Sequence, residues 1–320
     1  MKPAFDFIVI GAQKAGTTAL HEYIRRHPEV SVPAGKEAPF YSHDSIWGAG
    51  WRPYAEKVFA FAPDTTRWGS ATPHYMLGSL YERVNGSLDG RPEWVVPSRI
   101  MQHAPGTKLV AILRDPVERA HSHYRMQVLR GTERASFPAA VGELLRPEVL
   151  ERSRRFPTEE TSYVSTGEYG RILTPYLELF GREQVLVCFS RDLDREPEAL
   201  MRRVWSFLGV AADFVPENLG RRYRVGGERK RAGWLDMDRL QSSLATSGPV
   251  RALWHALPTG ARRRVDSAWN ELNYRLELWN RKGGENGAGP SAEVERRLRE
   301  HYADDRARLA ALLGEEPPWA

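Results

Sequence analysis

The first strong hydrophobic pattern lies near the start of the chain, where the apolar, β-branched run "FDFIVIGA" is followed at once by "TALHEYIRRHP". A run apolar on both faces is what a buried parallel strand requires. A helix starting near Thr17 makes it the first unit of a parallel α/β sheet. The theme returns in "TKLVAILRDP", residues 107 to 116, with a strand, a turn at Asp115-Pro116 and a helix "VERAHSHYRMQVL". "EQVLVCFSRDL" reads as a third strand, and "PEALMRRVWSFLGV" as an amphipathic helix with Leu200, Val204, Phe207 and Leu208 at helical spacing. Residues 143 to 165 are polar and charge-rich, which predicts surface helix and loop. A Gly-rich connector with Pro290, residues 281 to 292, leads into a closing helix over 291–314. The pattern gives an α/β fold: a P-loop-like three-layer sandwich with a central parallel sheet flanked by helices. It shows no internal repeat.

Composition narrows this picture. With 320 residues, 41% of them hydrophobic, the chain can bury a large core. Its 46 Lys and Arg against 41 Asp and Glu leave a net charge of +5, spread along the sequence. That suits a small anionic ligand better than a nucleic acid, which favours a concentrated basic stripe. The single cysteine, Cys188, excludes an intramolecular disulfide and reads as a small core residue on a strand. "MKPAFD" leaves no room for a signal peptide before the first strand, and no apolar run reaches membrane-spanning length. A soluble, cytoplasmic protein is expected, without an integral membrane segment; peripheral association and oligomeric state are left open. Trp234, Trp254, Trp269 and Trp279 lie among arginines at about 234–280. That segment reads as a helical insertion packed on the sheet, or else as a lid or interfacial helix.

The candidate chemistry begins at "GAQKAGTTAL". Gly11 and Gly16 are spaced as in a Walker A loop, but Thr17 follows Gly16 directly and the lysine sits inside the loop as Lys14. The backbone N–H groups of residues 14 to 19 should point at an anion, helped by the helix N-terminus, with Thr17 and Thr18 as hydroxyl donors. A plain strand-to-helix turn is the alternative. "ILRDPVERAHSHY" puts Arg114 at the end of a strand and Ser122 two turns into the next helix, on the same side of the sheet edge. Two anion sites along one crevice suit an adenosine that carries a 5′-phosphosulfate and a 3′-phosphate.

In these motifs the sequence resembles the PAPS-dependent sulfotransferases, in particular the heparan sulfate sulfotransferase branch and its bacterial relatives. "GAQKAGTTAL" is similar to that family's 5′-phosphosulfate loop and "LRDPVERAHSHY" to its 3′-phosphate motif. "KEAPFYS" resembles the segment with its catalytic glutamate, and "GAGWRPYAEKVF" the stretch after it. "TGEYGRILTPYLELFGREQVLV" and "FLGV" also fit, so the likeness covers residues 5 to about 210 and resumes in the closing helix. One such domain over 1–320 is expected.

The resemblance implies sulfuryl transfer from PAPS, with PAP as the product, to a hydroxyl acceptor by in-line attack, with no metal required. Glu37 is then the general base and Lys14 the group that stabilises the leaving oxygen. Gln13, Lys14, Ala15, Gly16, Thr17 and Thr18 would hold the 5′-phosphate, and Arg114 and Ser122 the 3′-phosphate. Arg229, Lys230 and Arg231, in the basic run 221–233, would close over the nucleotide; a solvated charge run is the alternative. Lys36, Phe40, His74 and Tyr75 are the candidate acceptor-side residues. Burial beside Pro39, Phe40 and Tyr41 is expected to raise the Glu37 pKa. Relatives have a lysine in the segment matching "WGSATPHYM", where this chain has Ser70 or Ala71; His74 is the nearby substitute. His121 and His123, two apart on a helix, cannot share a metal. The acceptor is expected to be a small molecule or glycan: a natural product, glycolipid or sugar. A P-loop kinase and a non-catalytic nucleotide-binding module are the competing readings. The kinase would need a lysine directly before Ser or Thr.

Overall fold

The computed structural model describes residues 3–33, 36–59, 66–77, 92–221, 223, 248–258, 289–319 and scattered positions from 261 to 276. Five strands, β1 (Phe7–Gly11), β2 (Val30–Ser31), β3 (Arg67–Ala71), β4 (Lys108–Leu113) and β5 (Val185–Phe189), form one sheet. Their order is β2-β3-β1-β4-β5 and every pairing is parallel. The chain steps outward from β1 to β2, returns through β3, and then crosses β1 to β4, so the topology reverses at β1 and β4. In open parallel sheets such a switch point opens a crevice at the carboxyl ends of the strands.

Both faces of the sheet are covered, which is why its strands read as continuous apolar runs. Ile8, Ile10, Leu109, Ala111 and Leu113 point to one face and pack with Trp51 and Ala55 of α3 (Trp51–Val58), Val96 and Ile100 of α4 (Val95–His103), and Ile172, Leu173 and Tyr176 of α8 (Tyr169–Phe180). Phe7, Val9, Val110, Ile112 and Cys188 point to the other face, against Leu20, Tyr23 and Ile24 of α1 (Thr17–Ile24) and Leu200, Val204 and Leu208 of α10 (Pro197–Leu208). Cys188 is fully buried, and burial pushes its thiol up to about 12, as befits a core residue. Each fully buried aliphatic side chain of this kind contributes about 1.5–3 kcal/mol.

α1 and α5 (Pro116–Arg130) begin where the sequence signals placed them. Asp115 caps α5 by accepting from the Val117 and Glu118 amides at 2.8 and 3.2 Å. The short α2 (Asp44–Ala49) and α9 (Ser190–Arg195) border the sheet, and α6 (Phe137–Leu144) and α7 (Pro147–Arg155) pack beside α5. α11 (Gly248–Ala256) contains Trp254, and α12 (Ala292–Leu313) is the closing helix; no helix among the described residues is long and apolar enough to cross a membrane. Trp234, Trp279 and most of the 281–292 connector lie outside the described residues.

Two expectations need correction. β2 and β3 were not foreseen: "RWGSA" has no alternating or continuous apolar pattern, and β3 forms because Gly69 lies opposite Phe7, where a Cβ would come within 2.3 Å of the Phe7 ring. The stretch 143–165 does form helix and loop, but it is not merely surface: Leu144, Leu150, Ser153, Ser162, Tyr163 and Val164 are buried. Its polar residues are accommodated because they satisfy one another, Ser153 bonding Ser162 and Ser165, and the Ser162 hydroxyl accepting from the Thr158 amide at 2.9 Å.

Candidate active site

Four segments leave the carboxyl ends of neighbouring strands and meet. After β1 comes the loop 12–16. The Ala12 amide bonds the Ile112 carbonyl at 2.8 Å, tying the loop to β4. Lys14 takes φ 70° and Gly16 φ 102°, so the chain turns sharply enough to bring the opening amides of α1 toward the loop. Thr17 is buried and Thr18 half-buried at the first turn.

After β2 comes the Lys36–Tyr41 segment, clamped from below by residues that follow β3. The Ala38 amide donates to Thr72 Oγ1 at 2.9 Å, the Tyr75 hydroxyl donates to the Ala38 carbonyl, and the Tyr41 amide donates to the Tyr75 hydroxyl at 3.2 Å. Phe40 is 1% exposed, wedged among Tyr41, Trp47, Trp51 and Tyr54. Phe40 and Tyr75, candidates for acceptor contact, are both buried, with Tyr75 bonded to the Ala38 and Tyr41 backbone. Lys36 is turned inward: its Nζ donates to Thr17 Oγ1 at 3.1 Å and lies 3.8 Å from Glu37 Oε1. The start of α1 and the candidate base are thus joined through one lysine.

Glu37 is 37% exposed, so the apolar burial expected beside Pro39, Phe40 and Tyr41 is not what surrounds it. The rings of Phe40 and Tyr41 point into the core, and the carboxylate meets His74 Nδ1 at 3.1 Å. Ser70 and Ala71, where the resemblance led to the expectation of a lysine, are buried in β3, and His74 stands beside Glu37 after the end of that strand.

After β4 comes Arg114, whose Nε and Nη2 bond Glu118 Oε2 at 3.0 and 2.9 Å, while its carbonyl accepts from the Tyr169 hydroxyl at 2.9 Å. Ser122 is half-buried on α5 beside the fully buried His123. His123 is pushed down to about 3 by burial and by the nearby Arg119 cation, with Lys14 adding in the same direction, so it is neutral at ordinary pH. Its partners are Arg119 Nη1 at 3.4 Å and Gln127 Nε2 at 3.1 Å. His121 instead packs on Phe137 and Tyr124. Arg229, Lys230 and Arg231 lie outside the described residues.

Glu159, Arg130 and Gln127 carry no sequence signal and are part of the site. Glu159 accepts from His74 Nε2 at 2.8 Å, from Gln13 Nε2 at 2.5 Å and from Arg130 Nη1 at 2.5 Å, and its carbonyl accepts from Gln127 Nε2 at 2.6 Å. The His74 bond, outweighing burial and reinforced by Arg130, holds the Glu159 carboxyl far below the usual carboxylate range. Burial would lower the His74 pKa, but the hydrogen bonds to Glu159 and Glu37 win and raise it to about 9. The arrangement can hold an anion at the loop, a second at the start of α5, and an ionised carboxylate between the loop and solvent.

Comparison with known proteins places the fold and the family. Residues 5–222 match the sulfotransferase domain family model. Mouse heparan sulfate glucosamine 3-O-sulfotransferase 3B1 is 28% identical over 209 residues, covering 63% of this chain and 45% of that protein. Human heparan sulfate glucosamine 3-O-sulfotransferase 5 is 30% identical over 215 residues, covering 66% of this chain and 55% of that protein. The chain thus spans about half the length of the curated relatives it matches. The fold matches that of a sulfotransferase from Alicyclobacillus acidocaldarius, with a TM-score of 0.62 over 98% of this chain and 97% of that one, at 21% identity. From the strand-loop-helix at Gly11–Thr17 to the Arg114 junction, the chain belongs to the sulfotransferase family.

Proposed function

We propose that the protein transfers the sulfuryl group of PAPS to a hydroxyl of a saccharide or other small acceptor, leaving PAP. The observation that carries this reading is the Lys36 bridge: a carboxylate, Glu37, stands beside a lysine bonded to the first hydroxyl of the anion loop. A base within reach of the loop's ligand is what in-line transfer requires. Loop amides, Gln13, Ala15, Gly16, Thr17 and Thr18 hold the 5′-phosphate, and Arg114 and Ser122 hold the 3′-phosphate once the Arg114–Glu118 pair opens. Lys14 stabilises the oxygen from which sulfur departs, Lys36 faces the transferred group, and Glu37 takes the acceptor proton.

The relatives' names include glucosamine O-sulfotransferases, which supports a sugar hydroxyl as the first acceptor class to screen. The kinase reading is not favoured, since the lysine that would precede Thr17 is replaced by Gly16. Calorimetry of PAP in EDTA, beside ATP with magnesium, tests the proposal. Metal-free PAP binding that weakens at least tenfold in Arg114→Ala is expected. Binding of ATP with magnesium and none of PAP would return the loop to the kinases.

A further inference from the structure

Resting on the sulfotransferase reading, the geometry points to Glu159 as a positioning residue for sulfuryl transfer: it holds His74 in place and charged, and through His74 it orients Glu37. His74 has a carboxylate at each ring nitrogen. Nδ1 lies 3.1 Å from Glu37 Oε2 and Nε2 lies 2.8 Å from Glu159 Oε1, and ionised carboxylate oxygens only accept. Both nitrogens must therefore carry hydrogen, so the ring is an imidazolium bridging two carboxylates. It is 15% exposed, close to dry, and such charge-assisted bonds are short and directional.

Glu159 is itself fixed from three sides. Arg130 of α5 balances its charge, Gln13 of the donor loop bonds the same Oε1 that His74 uses, and Gln127 of α5 pins its backbone. The charged and titratable groups around this cluster are Glu37 and Lys36 from the β2 side, Glu159, Arg130, the neutral His123 of α5, and Lys14, whose charge acts on His123. Lys14 and Lys36 each make further interactions within the fold.

The consequence is chemical. With Oε2 of Glu37 held by His74, it is Oε1, on the side of Lys36 Nζ at 3.8 Å, that takes the proton from the acceptor hydroxyl as its O–S bond forms. The S–O bond to the nucleotide breaks with its electron pair on the leaving phosphate, and the proton stays on Glu37. Loss of the Glu159 charge would let His74 turn and lose its second proton, and Glu37 would lose its orientation. Because Gln13 belongs to the donor loop, the same carboxylate also ties base position to that loop.

Histidine labelled at Cε1, with the His74 resonance assigned by His74→Asn, allows its titration to be followed by NMR in the full chain. A wild-type midpoint above pH 8, falling by one unit or more in Glu159→Gln and by at least half a unit in Glu37→Gln, is expected. A wild-type midpoint at or below pH 7, or a folded Glu159→Gln with an unchanged midpoint, would overturn the inference; should that variant not fold, the wild-type and Glu37→Gln titrations decide. In parallel, PAP release from PAPS with water as acceptor should lose at least tenfold in kcat in Glu159→Gln, with partial recovery in Glu159→Asp. A kcat within twofold of wild type would overturn the positioning role. Absence of PAP binding by the wild type would overturn the underlying reading, whereas PAP binding with an unshifted titration removes only the role given to Glu159.

Discussion

Gly16 shows how one residue constrains the site. Its φ of 102° is one that side chains rarely adopt, and an added Cβ would sit 2.7 Å from Leu193 Cδ1. The leucine methyl can rotate away; the backbone cannot, so strain persists. Gly16→Ala is therefore expected to destabilise the protein by about 1–3 kcal/mol. Urea unfolding followed by circular dichroism measures it, and an unchanged midpoint would show that the loop tolerates a different backbone. The contrast with Lys14 is informative. It also has positive φ, at 70°, yet bears a side chain, so the same loop has one left-handed position with glycine and one without.

Among the elements, α5 does the most to assemble the site, since Arg114 precedes it and Ser122, His123, Gln127 and Arg130 lie along it. Its start is held by Asp115, which caps two amides with one carboxylate oxygen and meets Arg299 of α12 with the other at 2.9 Å. Asp115→Ala should cost about 1–2 kcal/mol through the lost cap. Asp115→Asn should recover most of that in thermal unfolding, because the amide oxygen still caps while the ion pair, whose Arg299 partner is 42% exposed, is worth little. Equal losses in both variants would mean that the link to α12, not the cap, positions Arg114. The sequence showed this junction only as a turn at Asp115-Pro116 after an apolar run, a local signal, and the cap itself came with the structure. Glu159 had no such signal, because its partners Gln13 and His74 are 146 and 85 positions away and no local pattern encodes them.

At the scale of the whole molecule, the buried ionisable groups set a pH window. His123 is pushed down to about 3 in the fold, so the unfolded chain takes up its proton first, and stability falls as pH drops from 6.5 toward 3. Glu168, buried yet held by His301, Arg154 and Arg171, is lowered to about 2, so its contribution is present above pH 4.5 and lost as pH falls toward 2. His74 has the opposite sign. Raised to about 9, it contributes fully below pH 6.5 and its contribution is lost as pH rises to 9. Thermal unfolding across pH should thus peak near neutrality, and His74→Asn should flatten the alkaline side and, because His74 also holds the Glu159 carboxyl low, weaken part of the acid fall. A profile that keeps its alkaline fall in that variant would assign the effect to other groups.

By itself the sequence determined the strands β1, β4 and β5, the starts of α1 and α5, the tight loop between β1 and α1, and the family, because each rests on contiguous patterns or on motifs whose geometry is local. Glu37 and Lys36 were also readable, through the resemblance. Only the tertiary structure decided that β3 lies beside β1, since Gly69 earns its place by fitting under a phenylalanine 62 residues earlier. It likewise buried Phe40 and Tyr75 and left Glu37 between His74 and Lys36 in place of an apolar pocket. Such outcomes depend on which side chains the fold brings within about 3 Å of one another, and hydrogen bonds and ion pairs of that range are set by packing across the sheet and not by order along the chain.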